Sequence, residues 1–277
     1  MNTKQLLKEL LPPRALRAAR IHSPVRKPEP SYFTGDFGSW EEAEEASTKY
    51  GAPEILAKTR AAMLKVRNGE AVFERDSVVF DRPEYSFPLL AGLLRATRGL
   101  GRLSVIDFGG ALGSTYFQNR RFLSAVKELR WSVVEQPAHV ACGQLEFSDE
   151  GLHFYYTVDE CLKVEQPNVL LLSSVVQYLS APYDFLHQLL RYRIPHVIID
   201  RTAFLDGSRE RLTVQTVPEW IYPASYPAWF FNEARFINAC AHQGYQLVAD
   251  FPGADHVFLD SGKPYFKGFL FDLEQDS

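Results

Sequence analysis

From residue 103 onward the sequence alternates short apolar runs with longer segments of helical patterning. The apolar runs are rich in β-branched and aromatic residues and cover 104–108, 131–135, 152–156, 168–173 and 196–200. Segments 116–129 and 182–192, which separate some of these runs, are long enough for crossover helices. The fourth and fifth runs are apolar almost without a break, as is typical of strands buried on both faces. The alternation therefore predicts a doubly wound parallel sheet.

The end of the chain has a different pattern. A helical segment at 233–243 is followed by strand-like runs at 245–251 and 265–272. The loop between the two runs has about a dozen residues, including Pro252 and Gly262, and is too short for a helical crossover. An antiparallel hairpin fits this spacing. The predicted fold is therefore α/β, with a Rossmann-like sheet of five parallel strands plus a C-terminal antiparallel hairpin.

The residues before this alternation divide into two parts. Residues 1–30 carry seven Lys or Arg against one acid before position 29, and five prolines interrupt any long helix. We expect this part to be a basic, flexible leader. The alternative is a weak peripheral contact with an anionic membrane, made by its leucines together with the neighbouring cations.

Residues 31–100 are predicted to form a mainly helical N-terminal cap. The pattern is helical at 39–66, where Ser39 and Glu42 have the spacing of a capping box, and a second helix is expected to begin near Glu84. Between them, 71–80 is expected to be an extended or irregular connector. The core is then 101–277, with an aromatic-rich insertion near 213–230.

Composition excludes several classes of protein. The formal net charge of −4 gives no reason to expect nucleic-acid binding. No apolar run reaches the roughly 18 residues of a membrane-spanning helix, and no signal-peptide pattern is present. The three cysteines form no CxxC pair and the histidines no HxxxH pair, so a metal site is not predicted. We expect a cytoplasmic protein with reduced thiols that acts on a small molecule.

The first predicted strand leads into a glycine-rich turn, Asp-Phe-Gly-Gly-Ala-Leu-Gly at 107–113. In open parallel sheets the ligand contacts this turn, and its small residues let the backbone approach closely. A dinucleotide site needs Gly-x-Gly-x-x-Gly, and neither register, from Gly109 or from Gly110, satisfies it. Asp107 disfavours a pyrophosphate but can serve the amino-acid end of S-adenosylmethionine. The order is close to the (Asp/Glu)-x-Gly-x-Gly-x-Gly pattern of methyltransferases, with Ala111 in the middle glycine position.

Further polar residues follow the other predicted strands. Glu135 ends the second strand 22 residues past Gly113, near the spacing at which an acid accepts hydrogen bonds from a ribose. The alternative for Glu135 is a solvated glutamate at the end of a strand. Ser173 and Ser174 follow the fourth strand and are candidates for cofactor contact, with simple loop capping as the alternative.

The chain also resembles a bacterial family of class I S-adenosylmethionine-dependent methyltransferases that is often associated with surface-polysaccharide gene clusters and has no generally assigned acceptor. The matching segments are 35–40, 73–76, 107–113, 116–119, 133–136, 172–179, 200–202 and 224–229. The resemblance implies that S-adenosylmethionine is the cofactor. The residues predicted to bind it are Asp107, Gly109, Gly110, Gly113, Tyr116, Glu135, Gln136, Ser173 and Ser174.

Asp200 and Arg201, which end the fifth apolar run, are the candidate catalytic residues. Asp200 can act as a base or orient one, and Arg201 can bind an anionic group. The alternative is a structural ion pair with Glu74 or Asp76 of the cap.

The aromatic-rich insertion is predicted to bind the acceptor, because aromatic faces suit sugar rings or cationic groups. Its candidate residues are Gln215, Tyr222, Tyr226 and Trp229, for which ordinary burial is the alternative. The sequence therefore predicts methyl transfer to oxygen or nitrogen of a small-molecule or glycan acceptor. Two alternatives stay open at this point, an NAD(P)-dependent oxidoreductase and a non-catalytic nucleoside-binding scaffold protein.

Overall fold

The computed structural model of the protein describes residues 31–48, 53–82, 84–253 and 257–274, so the predicted leader 1–30 lies outside the described residues. The strands are β1 (Ser31–Phe37), β2 (Phe73–Arg75), β3 (Val78–Phe80), β4 (Arg102–Phe108), β5 (Glu128–Val134), β6 (Leu152–Tyr155), β7 (Val169–Ser173), β8 (His196–Leu205), β9 (Arg211–Thr216), β10 (Ser225–Phe230), β11 (Tyr245–Pro252), β12 (Val257–Leu259) and β13 (Pro264–Leu273). The helices are α1 (Trp40–Glu45), α2 (Pro53–Arg67), α3 (Phe87–Arg95), α4 (Ser114–Leu123), α5 (Pro137–Glu146), α6 (Val158–Leu162), α7 (Pro182–Leu190) and α8 (Glu233–Ala241), and a 3₁₀ turn covers Val176–Tyr178.

The central sheet has seven strands in the order β11-β13-β8-β7-β4-β5-β6. Strands β6, β5, β4, β7 and β8 pair in parallel, and β13 pairs antiparallel with both β8 and β11. The predicted five parallel strands and C-terminal antiparallel hairpin are confirmed. The order reverses between β4 and β7, and this is where open α/β sheets bind their ligands, beyond the carboxyl ends of the strands.

The core lies on both faces of this sheet, which is why its strands are apolar without alternation. Successive residues of β4 point to opposite sides, so Val105 packs with helices α3, α4 and α5 while Ile106 packs with α7 and α8. Both side chains are fully buried. No helix among the described residues combines the length and the apolar content that a membrane crossing requires.

A second sheet has four strands in the order β10-β9-β1-β12. It combines the aromatic-rich insertion, which forms β9 and β10, with β1 from the start of the described chain. One face packs on α1 through Ala43, Leu212 and Val214, and the other packs towards β8. The sequence pattern does not predict β1, because the partners that stabilise it are far along the chain.

The segment 31–100 contains β1, the helices α1, α2 and α3, and a short hairpin made of β2 and β3. The expected capping interaction is present at α1, where the hydroxyl of Ser39 accepts from the backbone of Glu42 at 3.3 Å. The connector at 71–80 is more regular than expected, since it forms the β2–β3 hairpin. The division into leader, cap and core stays a prediction.

Asn168 connects α3 to the central sheet. Its side chain is buried, donates to the carbonyl of Ala96 at 2.7 Å and accepts from the amide of Ser104 at 2.8 Å. Asn168→Ala leaves both backbone groups buried without these partners, so we expect the free energy of unfolding to fall by about 2–4 kcal/mol in chemical denaturation. The exposed Asn238→Ala should stay within about 0.5 kcal/mol of the unmodified protein. A loss at Asn168 no larger than at Asn238 would contradict this role.

Candidate functional site

Strained backbone is concentrated at the carboxyl edge of the central sheet. Six non-glycine residues in the described part of the chain have a positive φ. All but Arg193 belong to the strand ends and the β2–β3 hairpin at this edge, and they are Asp76, Ser77, Ala111, Ser174 and Arg201. Such conformations cost of the order of 1–3 kcal/mol each and persist mainly at functional sites. The cluster therefore marks this edge as the candidate site.

The glycine-rich turn lies between β4 and α4. The amide of Gly109 donates to the carbonyl of Val134 at 2.9 Å, which holds the turn against the end of β5. Gly109 and Gly113 have φ values of 72° and 86°, which favour glycine. Ala111 also has a positive φ, of 50°, which lies in the left-handed region.

Asp107 lies beneath this turn. It is 1% exposed, and the indole nitrogen of Trp131 donates to its Oδ2 at 2.9 Å. Its Oδ1 is buried without a hydrogen-bond partner. Burial raises the pKa of Asp107 to about 7, the hydrogen bond from Trp131 opposes this shift, and the charge of Glu135 adds to it. The site thus holds a carboxyl group that lacks a cationic partner.

Glu135 lies beside the turn at the end of β5. Its side chain is only 7% exposed, so it is not the solvated glutamate of the alternative interpretation. Its Oε2 accepts from the amide of Gln136 at 2.5 Å and lies 4.0 Å from Nδ1 of the buried His139. Gln136 is exposed and precedes α5 without a side-chain cap.

The ends of β7 and β8 are joined by polar contacts. The hydroxyl of Ser173 donates to Oδ2 of Asp200 at 3.3 Å, and the amide of Ser174 donates to the Asp200 carbonyl at 2.9 Å. The fully buried Gln177 donates to Ser174 Oγ and to the carbonyl of Arg201, while its Oε1 has no partner. Gln177 was not among the predicted site residues, although it lies in a segment that carries the family resemblance.

A β-bulge redirects the chain at Asp200 and Arg201. These two residues of β8 lie opposite the single Gly268 of β13, where the register of the pair shifts. Arg201 has a φ of 51° and donates to Oδ2 of Asp76 at 2.7 Å. Arg201 therefore forms the ion pair with Asp76 of the cap that the sequence analysis gave as the alternative to a catalytic role.

Glu74, on the β2–β3 hairpin, is a site residue that the sequence analysis treated only as a partner for Arg201. It is 3% exposed, accepts from the amide of Ser77 at 2.5 Å and accepts from the hydroxyl of Ser114, the first residue of α4. Burial raises its pKa to about 7, and the two hydrogen bonds oppose the shift. The hairpin turn has positive φ at both central residues, Asp76 and Ser77, as a type I′ turn requires.

The structure brings three of the four predicted acceptor residues together around Tyr178. The Tyr178 hydroxyl donates to Oε1 of Gln215 at 2.8 Å, and its ring meets Tyr226 edge-on with 5.2 Å between the centroids. Tyr222 packs in the same cluster as Tyr226 and is buried, which raises its pKa to about 12. The acid Asp76 and the cation Arg201 also influence the pKa of Tyr178, so this group adjoins the hairpin.

Two predicted site residues lie elsewhere. Trp229 is on the face of β10 opposite to Tyr226 and packs with α1. Tyr116 is buried in the core beside Trp131, and its hydroxyl donates to Asp149 at 3.2 Å. Within the described ranges, no three His, Cys, Asp or Glu side chains are grouped so that they could hold a metal ion.

No family model and no curated protein matches the sequence. Among solved structures, the chain is similar to magnesium protoporphyrin IX methyltransferase of Synechocystis PCC 6803 with bound S-adenosylmethionine, at 11% identity over 82% of this chain and 87% of that chain, with a TM-score of 0.45. It is also similar to the glycopeptide N-methyltransferase MtfA complexed with S-adenosylmethionine, at 11% identity over 67% and 87% of the chains, with a TM-score of 0.45.

A third similar structure is 1,6-didemethyltoxoflavin-N1-methyltransferase of Burkholderia thailandensis with bound 1,6-didemethyltoxoflavin and S-adenosylhomocysteine, at 14% identity over 82% of this chain and 93% of that chain, with a TM-score of 0.41. At these sequence identities and TM-scores, the structural similarity does not assign a function to this chain.

Because Asp107 is buried, we expect the free energy of unfolding to depend on pH. Its pKa in the folded protein, about 7, lies above the ordinary value of 3.8, so the folded state retains a proton that the unfolded state has lost. Stability is therefore lost as the pH rises through about 7. Between pH 5 and 7, the free energy of unfolding should fall more steeply for the unmodified protein than for Asp107→Asn, by about 1 kcal/mol per pH unit.

Asp184→Asn, at an exposed position on α7, is the matched control and should keep the slope of the unmodified protein. Equal slopes for Asp107→Asn and the unmodified protein would show that Asp107 is ionised throughout this range.

Proposed function

We propose that the chain is a cytoplasmic S-adenosylmethionine-dependent methyltransferase that acts at oxygen or nitrogen of a small-molecule or glycan acceptor. The observation that carries the proposal is the glycine-rich turn at the switch point, with two buried acidic side chains next to it. Asp107 lies beneath the turn, and Glu135 lies beside it with its side chain 7% exposed. The free state of the three cysteines suits a reducing compartment.

The residues fit a nucleoside with an amino-acid tail better than a dinucleotide. A pyrophosphate on the first turn of α4 would lie near the carboxyl groups of Asp107 and Glu74, and the latter is hydrogen-bonded to Ser114 in that turn. An S-adenosyl ligand has no phosphate and ends in an ammonium group, which these acids favour. Glu135 is then placed to accept hydrogen bonds from the ribose. Five further residues at the strand ends would contact the same ligand through backbone or hydroxyl groups. They are Gly109, Gly110, Gly113, Ser173 and Ser174.

S-Adenosylmethionine would supply an electrophilic methyl group on a cationic sulfonium. In the transfer, a lone pair of the acceptor forms a bond to the methyl carbon while the carbon–sulfur bond breaks, leaving a neutral thioether. The protein's part is to align the acceptor and to exclude water, because alignment supplies much of the rate enhancement in such displacements. The ends of β4, β7 and β8 lie beside the β2–β3 hairpin, which is hydrogen-bonded to Ser114 and Arg201, and this arrangement suits the task.

On the acceptor side, we assign Gln215, Tyr222 and Tyr226 to binding through hydroxyl and amide groups. Asp200 is the candidate base, acting directly or through Ser173, to which it is hydrogen-bonded. Arg201 contributes by holding the hairpin through Asp76. The family resemblance supports an acceptor in surface-polysaccharide synthesis.

Calorimetry with S-adenosylhomocysteine and with NADH tests the cofactor. We expect S-adenosylhomocysteine to bind, and Glu135→Ala to weaken it about 10- to 100-fold because charge-assisted hydrogen bonds to the ribose are lost. Glu128→Ala, at an exposed position on the same strand, should bind as the unmodified protein does. Binding of NADH in place of S-adenosylhomocysteine would contradict the proposal and favour an oxidoreductase.

A further inference from the structure

Two buried carboxyl groups lie next to the glycine-rich turn or to the residue that follows it. Asp107 lies so close beneath it that a Cβ placed on Gly110 would be 2.5 Å from Asp107 Oδ2. Glu74 approaches from the hairpin and is hydrogen-bonded to Ser114, directly after Gly113. The two acids are 33 residues apart in sequence, and the fold brings both to the segment 110–114 that leads into α4.

The donors that contact these acids are neutral. They are the indole N–H of Trp131 for Asp107, and the amide of Ser77 and the hydroxyl of Ser114 for Glu74. Arg201, whose charge influences Glu74, is hydrogen-bonded to Asp76. A buried acid without a cationic partner is costly to ionise, and such groups are concentrated at ligand sites.

Two buried acceptor atoms at this edge lack any partner. They are Oδ1 of Asp107 and, at the end of the neighbouring strand β7, Oε1 of Gln177. Asp107 is 1% exposed and Gln177 is fully buried, so solvent does not satisfy these atoms. The site therefore offers buried carboxyl groups and unsatisfied acceptor atoms, and a ligand that supplies a cationic donor would complement it.

We propose, on the basis of the function proposed above, that Glu74 binds the primary ammonium group of the cofactor's amino-acid tail and that cofactor binding therefore releases a proton from this residue. Glu74 lies on the β2–β3 hairpin, outside the strand ends that bind nucleosides in this fold. The proposal makes the hairpin part of the cofactor site. It also makes cofactor affinity dependent on pH.

The direction of proton flow follows from the charges. The pKa of Glu74 in the ligand-free protein is about 7, because burial and the charge of Asp76 raise it while its hydrogen bonds and Arg201 lower it. An ammonium group beside it lowers this pKa, so the proton leaves for the solvent when the ligand binds. The carboxylate end of the tail would raise the pKa and take up a proton instead.

Other titratable groups near Glu74 could also contribute to proton release, and their contributions have to be distinguished from that of Glu74. Asp107 has a similar pKa of about 7, and Tyr222 feels the charge of Glu74. From α2, the side chains that contact its hydrogen-bond partners are Thr59 and Met63, which do not titrate. Because Asp107 is present in both proteins, the difference in proton release between the unmodified protein and Glu74→Gln excludes the protons that Asp107 releases.

The experiment is calorimetry of S-adenosylhomocysteine binding in buffers of different ionisation enthalpy from pH 6 to pH 8. At pH 6 the unmodified protein should release about 0.9 proton more than Glu74→Gln. The ratio of their two affinities should rise about tenfold in favour of the unmodified protein between pH 6 and pH 8. Glu70→Gln, at an exposed position before the same hairpin, should match the unmodified protein.

A second probe needs no variant. 5′-Methylthioadenosine has the nucleoside and the thioether but no amino-acid tail, so its binding to the unmodified protein should release about 0.9 proton less than that of S-adenosylhomocysteine at pH 6. Proton uptake with S-adenosylhomocysteine, or equal release with both probes, would overturn the inference and leave the proposed function standing. If neither probe binds, the proposed function itself fails.

Discussion

Asp107 brings a carboxyl group into the interior of the central sheet, where the indole of Trp131 on the neighbouring strand donates to it at 2.9 Å. One neutral donor does not offset the cost of burying an ionised carboxylate. Burial therefore raises the pKa of Asp107 to about 7, and the carboxyl group keeps its proton below that pH. The turn above it packs too closely for a side chain at Gly110. The buried acid and the tight turn above it are therefore in direct contact.

The β2–β3 hairpin depends on the same edge. It contacts the β4 side through Glu74 and Ser114, and the β8 side through Asp76 and Arg201. The two contacts lie on either side of β7, next to the switch point of the sheet. Strained residues on both sides of these contacts indicate that local stability is given up there to fix the positions of polar groups.

Local patterns in the sequence were sufficient to predict the central sheet. The apolar runs, the crossover lengths and the short loop before the last strand predict it without knowledge of distant contacts. The second sheet was not predictable in this way, because β1 finds its partners in β9 and β12, far along the chain.

The same reasoning explains the outcome for individual site residues. The left-handed turn conformation and the burial of Glu135 agree with the sequence argument. Trp229 and Tyr226 are three residues apart on β10, so the alternation of side chains along a strand places them on opposite faces. The bulge at Arg201 depends on Gly268 of a strand that follows much later.

The most direct test of the central claim, that the strand ends and the hairpin form one S-adenosyl site, is hydrogen–deuterium exchange with and without S-adenosylhomocysteine. We predict protection confined to the glycine-rich turn, the end of β5 and the β2–β3 hairpin. Protection that spares the hairpin, or that appears instead around Trp229, would contradict the account.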